Sequence, residues 1–142
     1  MATHWVINNT CSYDINIWNV VSEGAPSPIL VTRDSFYYEP LSAKNDLGGP
    51  SIRMAPASYS DDTIVTQLEY TLSPGNLFYD ISNINGYPFV EHGVSLKSSI
   101  KGCFEVVCPA GKELCHDAYN TPYDNWATRA CDPEGYLTFK VC

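Results

Sequence analysis

The feature of the sequence that most constrains its fold is a pair of alternating stretches in the middle of the chain. Apolar and polar residues alternate through residues 68–72, and the alternation resumes in residues 77–81 after the polar segment Ser73-Pro74-Gly75-Asn76. Period-2 alternation on both sides of a short Pro-Gly loop is typical of a β-hairpin with one buried face. Residues 66–89 are therefore predicted to contain two paired antiparallel strands, around which the other strands are arranged.

The short loop also predicts which residues of the two strands lie opposite each other. If the hairpin closes between Leu72 and Leu77, Glu69 faces Asp80. Like charges in directly opposed positions of an antiparallel pair are unfavourable. A pair that costs stability in this way indicates selection for something other than stability, so Glu69 and Asp80 are candidate functional residues.

Short alternating stretches recur along the rest of the chain at intervals of roughly ten residues, which is typical of β-sandwiches and barrels. The first two, residues 4–8 and 13–21, are interpreted as a hairpin with one buried face. Polar segments rich in Gly and Pro at residues 22–28 and 45–50 are interpreted as a loop and a turn. The remaining predicted strands are residues 29–32, 35–39, 51–54, 94–98 and 136–141. The fold class is therefore predicted to be all-β.

The acidic charge balance limits the classes of partner. With 142 residues, 17% charged residues and a formal net charge of −8, the chain is predicted to be one acidic domain. Nucleic-acid binding draws most of its affinity from Lys and Arg on phosphates, so no nucleic-acid partner is expected. A cationic, neutral or carbohydrate-like partner suits this surface better. No stretch is apolar for long enough to span a membrane.

Cysteine usage predicts an oxidising compartment. The chain has six cysteines, an even number, and no pair at zinc-finger spacing, which favours disulfides in an extracellular protein. The three histidines, His4, His92 and His116, are scattered along the chain, so neither a metal site nor a cofactor is predicted.

The first residues carry two further expectations. No signal peptide precedes the first predicted strand, and the sequence is interpreted as a mature domain with an added start codon at Met1. Asn8-Asn9-Thr10 matches a glycosylation acceptor pattern, and an unused polar turn beside Cys11 explains the same residues equally well. Asn8 is therefore a candidate glycosylation site.

Four stretches, which together cover about half of the chain, resemble one known family. They are ATHWVINNTCSYDINIW at the start, TQLEYTL…FYDISNINGYPF in the centre, KGCFEVVC, and CDPEGYLTFKVC at the end. In this order they resemble the thaumatin-like (pathogenesis-related class 5) proteins, and in particular their small fungal branch of antigenic or yeast-phase-specific secreted proteins. The central stretch is the most specific of the four.

The resemblance implies a fold and a set of disulfides. It implies a flattened β-sandwich of antiparallel strands in a single thaumatin-like domain, residues 1–142, with a small disulfide-rich loop region at about residues 103–131 in place of the larger second domain of full-length members. It also implies the pairings Cys11–Cys142 and Cys103–Cys131, with Cys108–Cys115 as the remaining pair. From composition alone, the connectivity stays open.

The resemblance further implies ligand-binding residues. Full-length members have a cleft lined by an arginine and several acidic residues, which is associated with glucan binding and, in some members, weak endo-β-1,3-glucanase activity. Glu69 and Asp80 match two of these acidic residues, Asn85 stands at the position of a third, and Asp117 is a possible substitute for the last. The arginine that usually precedes the glutamate strand is missing from residues 61–66. Tyr87, in the adjacent loop, is a candidate sugar-stacking residue.

These observations leave three functional hypotheses. The first is a secreted, monomeric fungal protein that binds an extracellular protein at a host or competitor surface, as an effector or antigen. The second is an antifungal protein that binds cell-wall carbohydrate such as β-glucan. The third, a residual glucanase, is disfavoured by the missing arginine, by Asn85 and by the reduced second domain, so the protein is predicted not to be an enzyme. Two solvated carboxylates on an exposed strand, with no ligand at all, remain the simplest alternative for Glu69 and Asp80.

Overall fold

The computed structural model describes residues 3–20, 26–43 and 49–142. The predicted loop 22–28, the predicted turn 45–50 and the start codon Met1 lie wholly or partly outside these ranges. Within them, the chain forms no helix that is long and apolar enough to cross a membrane.

The described residues form two packed β-sheets with a single short 3-10 helix, η1, at Asn125–Ala127. The strands are β1 His4–Asn9, β2 Ile15–Val20, β3 Ile29–Val31, β4 Ser35–Pro40, β5 Ser51–Pro56, β6 Thr66–Ser73, β7 Asn76–Ser82, β8 Val94–Ser98, β9 Val106–Cys108, β10 Arg129–Cys131 and β11 Leu137–Val141. The five-stranded sheet has the order β4-β1-β11-β8-β9, and the six-stranded sheet has the order β10-β7-β6-β5-β2-β3. All strand neighbours are antiparallel except β1 and β11, which are parallel. The predicted all-β sandwich is therefore confirmed.

The central hairpin has the predicted register. β6 and β7 pair with Leu72 opposite Leu77 and with Glu69 opposite Asp80. The apolar face of the hairpin lies in the core between the sheets, where its largest side chains are fully or almost fully buried: Leu68, Tyr70, Leu77, Tyr79 and Ile81. Glu69 and Asp80 consequently point to the outer face of the six-stranded sheet.

The predicted hairpin between the first two strands is wrong. β1 belongs to the five-stranded sheet and β2 to the six-stranded sheet, so the chain crosses from one layer to the other between them. The buried side chain of Asn9 fixes this crossing, because its Oδ1 accepts a hydrogen bond from the Cys11 N–H at 2.9 Å and its Nδ2 donates to the carbonyls of Tyr13 and Val31 at 3.1 and 3.0 Å. These bonds hold the backbone in a path that a two-strand turn does not follow.

All six cysteines are paired. The disulfides are Cys11–Cys142, Cys103–Cys131 and Cys108–Cys115, the pairings that the family resemblance implies. Cys11–Cys142 joins the ends of the parallel strands β1 and β11, which are already hydrogen-bonded to each other. Because it closes a loop of 131 residues, this bond removes much of the freedom of the unfolded chain.

Candidate functional site

A cleft of about 370 Å³ opens on the outer face of the six-stranded sheet. Its floor is a row of residues in register across three strands, Ser51 on β5, Glu69 on β6 and Asp80 on β7. Thr128, which precedes β10, also lines the cleft, and Arg53 and Gln67 form the next pair along β5 and β6. We call this the acidic cleft.

Asp80 is the most deeply placed carboxyl group of the acidic cleft, with 9% of its surface exposed. Burial, followed by a hydrogen bond with Glu69 and by the charge of Glu69, raises the pKa of Asp80 to about 10. Asp80 is therefore protonated at neutral pH and donates to Glu69. This resolves the conflict seen in the sequence, because the two opposed side chains carry one negative charge between them.

The acidic cleft contains an arginine, although none occurs in residues 61–66, just ahead of the glutamate strand. Arg53 reaches the cleft from β5, not from the segment that precedes the glutamate strand. Its Nη1 donates to Oδ2 of Asp62 at 2.7 Å, and the two side chains are 33% and 34% exposed. The cleft thus presents a cation next to its carboxyl pair.

Two buried polar atoms of the acidic cleft have no hydrogen-bond partner among the described residues. They are Oδ1 of Asp80 and Nε of Arg53, an acceptor and a donor on the same cleft. The neighbouring Gln67, in contrast, is satisfied through its Oε1, which accepts from the Ser51 hydroxyl at 2.7 Å. A buried polar atom without a partner costs roughly 1–3 kcal/mol, so a bound group that both donates and accepts is favoured there.

The five predicted ligand-binding residues do not form a single site. Only Glu69 and Asp80 line the acidic cleft. Asn85 is exposed in the turn after β7, where its carbonyl accepts from the Val65 N–H at 3.3 Å. Asp117 lies beside the loop closed by Cys108–Cys115, and its Oδ2 accepts from the Val107 N–H at 3.5 Å.

Tyr87 and Asn8 lie elsewhere. Tyr87 lines a second cleft, formed by three loops, which shares no lining residue with the acidic cleft. Asn8 is half-buried on β1, between Phe36 of β4 and Lys140 of β11, on the outer face of the five-stranded sheet. In its acceptor pattern, the Thr10 hydroxyl donates to the Val141 carbonyl at 2.9 Å.

Arg53, Gln67 and Ser51 are the functional candidates that sequence reasoning missed. A local signal for Arg53 existed, because Ile52 and Met54 on either side of it are fully buried and period-2 alternation then turns Arg53 outward. That signal becomes informative only once β5 is known to pair with β6, which places Arg53 opposite Gln67 and Ser51 opposite Glu69.

The arrangement suits binding better than hydrolysis. Glycoside hydrolysis requires two carboxyl groups that flank the scissile bond from different sides, one as acid and one as base or nucleophile. Glu69 and Asp80 are neighbours in one row of the cleft floor. Across the described ranges, no group of three or more His, Cys, Asp or Glu side chains is placed to hold a metal ion.

Comparison with known proteins gives consistent results. A family model described as "Bys1: Blastomyces yeast-phase-specific protein" matches residues 1–142. An "Antigenic thaumatin-like protein" of Arthroderma benhamiae is 38% identical over 136 residues, which cover 96% of this chain and 69% of the relative. The "Secreted thaumatin-like protein calA" of Emericella nidulans is 32% identical over 136 residues, covering 94% of this chain and 77% of the relative.

A solved structure has the same fold. The crystal structure of the protein elicitor MoHrip2 from Magnaporthe oryzae superposes with a TM-score of 0.79 and covers 99% of both chains. The sequence identity is 16%, so the likeness is one of architecture.

Proposed function

This chain belongs to the Blastomyces yeast-phase-specific protein family, and from that premise we propose that it is a secreted binding protein. The relatives named above are thaumatin-like proteins. The proposed ligand is neutral and rich in hydroxyl groups, and it binds in the acidic cleft without being chemically converted. Cell-wall β-glucan is the ligand class that the thaumatin-like resemblance suggests. Secretion is supported by the name of the relative from Emericella nidulans and by three disulfides, which persist in oxidising compartments.

The observation that carries this proposal is the pair of unpartnered polar atoms, Oδ1 of Asp80 and Nε of Arg53. A sugar hydroxyl both donates and accepts, so adjacent hydroxyls of one sugar ring satisfy an acceptor and a donor together. Protonation of Asp80 lowers the negative charge of the cleft floor, which suits a neutral ligand.

Retention on insoluble polysaccharide tests the proposal. We expect the protein to be retained on β-1,3-glucan, and we expect Asp80→Leu and Arg53→Met each to lower the affinity by about tenfold, because each leaves a ligand hydroxyl without its partner. The control is Lys140→Met, which removes an exposed cation from the opposite sheet. Chitin as a second matrix reports how selective the cleft is.

Two results would contradict binding in the acidic cleft. One is retention that Arg53→Met and Asp80→Leu leave unchanged, which would locate the sugar elsewhere. The other is an absence of retention on either polysaccharide. Release of reducing sugar from soluble glucan by the unaltered protein, lost in Asp80→Leu, would contradict the non-enzymatic part of the proposal.

A protein partner is the second candidate function, and one observation favours it. Phe36 and Tyr38 stand on the same face of the edge strand β4 with 67% and 65% of their surfaces exposed. Aromatic residues exposed in this way are typical of interface anchors. If the partner is a host or competitor surface protein, Phe36→Ser abolishes surface recognition while glucan retention stays unchanged.

A further inference from the structure

A second cleft, of about 700 Å³, lies where three loops meet. The loop between β1 and β2 contributes Tyr13, the loop after β5 contributes Tyr59, and the loop after β7 contributes Tyr87 and Glu91. Its volume falls in the range of small-molecule sites. We call it the tyrosine cleft.

The aromatic rings of the tyrosine cleft are held in place. The Tyr87 hydroxyl donates to the Cys108 carbonyl at 3.3 Å, and the Tyr13 hydroxyl lies 3.6 Å from Sγ of Cys142. Both anchor points belong to disulfides, and the Tyr13 ring also meets the His92 ring edge-on at a centroid distance of 6.0 Å. Because the rings are fixed before any ligand arrives, little conformational entropy is lost on binding.

The third ring is fixed by packing. Tyr59 packs against the small cluster of buried side chains that Trp18 and Val65 form on the outer face of the six-stranded sheet. The tyrosine cleft is therefore a preformed pocket with aromatic walls.

The charge of the tyrosine cleft is negative. Asp14 and Glu91 line it, and its lining within the described chain includes no lysine or arginine. Oδ1 of Asp14 accepts a hydrogen bond from the Arg33 backbone N–H at 2.9 Å, which fixes this carboxylate in position. Burial, followed by the charge of Glu91, raises the pKa of Tyr13, so its ring stays neutral and its face stays electron-rich.

We propose that the tyrosine cleft binds a small organic ammonium ion, either quaternary as in choline or primary as in a lysine side chain, independently of any ligand in the acidic cleft. Electron-rich aromatic faces attract such cations and cover their methyl or methylene groups. Asp14 and Glu91 neutralise the charge of the bound cation and disfavour an anion.

Titration of the isotope-labelled protein with choline, followed by amide NMR, tests this proposal. We expect saturable shifts at Tyr13, Tyr59 and Tyr87 with a dissociation constant on the order of 1 mM. The matched probe is the neutral alcohol in which carbon replaces the choline nitrogen, and it should shift these amides little. A blocked lysine, acetylated and amidated, is the third probe, and the tighter of the two cations identifies the source of the ammonium group.

Variants locate the binding. Tyr59→Leu should weaken choline binding by on the order of tenfold, because it removes one aromatic wall. Glu91→Gln changes an exposed residue without disturbing packing and should weaken it by about threefold. Glu134→Gln removes the same charge from an exposed position outside the cleft and should leave the affinity unchanged.

Three outcomes would overturn the proposal. The first is an absence of saturable shifts with either cation. The second is equal binding of choline and its neutral analogue, since recognition would then not depend on charge. The third is an equal effect of Glu91→Gln and Glu134→Gln, which would mean attraction to the acidic protein as a whole. None of them bears on glucan retention by the acidic cleft.

Discussion

The outer faces of the two sheets are built from the same alternation of residues but are very different environments. On the five-stranded sheet, Lys97 and Lys140 project outward and are exposed to solvent. On the six-stranded sheet, Gln67 and Asp80 also project outward, yet only 7% and 9% of their surfaces are exposed. The comparison shows that strand alternation determines which way a side chain points, while walls added by other segments determine whether it meets water.

The wall beside β6 illustrates how such cover is made. The segment that precedes β5 passes so close to β6 that a Cβ on Gly49 would lie 2.5 Å from the Tyr70 carbonyl oxygen. Gly49 also has a φ of 109°, which residues with side chains rarely adopt. Lys97 and Lys140, in contrast, stay exposed to solvent, and the carboxyl group with the raised pKa, Asp80, lies on the covered face.

The largest expected difference between the two faces is in the pH dependence of stability. The pKa of Asp80 is raised in the folded state, so the folded protein holds a proton that the unfolded chain releases above about pH 4. The free energy of unfolding should therefore fall as pH rises, by up to about 4 kcal/mol between about pH 5 and about pH 8. Denaturant unfolding across this range measures it.

Asp80→Asn is the variant that isolates this effect. Its amide replaces the protonated acid without titrating, so most of the fall should disappear. Asp132→Asn, at an exposed position, is the control and should keep the slope of the unaltered protein. If Asp80→Asn retained the full slope, the difference between the two faces would have another origin.

The next largest expected effect is the loss of stability when the close approach of Gly49 to β6 is disturbed. Gly49→Ala should destabilise the protein by about 2–3 kcal/mol, because the new methyl group meets backbone and the positive φ is strained. Gly75→Ala is a matched control, since Gly75 has a φ of 84° and open space around it. Its cost should be limited to the backbone strain, about 1 kcal/mol. Equal losses of unfolding free energy in the two variants would show that the close packing of Gly49 against β6 adds no steric cost.

The sequence could predict the features that depend on local residues, but not those that depend on tertiary contacts. Alternation and a short loop were sufficient for the β6–β7 register, because both are local properties. The assignment of β1 and β2 to one hairpin failed because each strand has a pattern that suits either sheet, and the buried Asn9 side chain that separates them is a tertiary contact. The disulfide pairings came from the family resemblance and not from spacing.

The residues of the candidate site differ in the same respect. Glu69 and Asp80 could be placed together because one hairpin carries both of them. Arg53 could not be placed, because it joins them only through pairing of β5 with β6. Tyr87 was assigned to the same site because it follows β7 closely in the sequence, but the chain turns away after β7 and carries it into the tyrosine cleft.

The smallest expected effect is the difference in stability when one cation is removed from the outer face of each sheet, Arg53 or Lys140. Arg53→Met breaks the ion pair with Asp62, whose two side chains are about two-thirds covered, so the loss of unfolding free energy should be about 1 kcal/mol. It also removes the unpartnered Nε atom, which offsets part of the loss. Lys140→Met, on the outer face of the five-stranded sheet, should change the free energy of unfolding by less than about 0.5 kcal/mol.

Measuring both variants at high salt sharpens the test, because screening weakens the interactions of an exposed charge more than those of a covered one. If Arg53 is covered by the cleft, the two variants should still differ in their loss of unfolding free energy at high salt. If that difference disappeared in salt, Arg53 would be as solvated as Lys140.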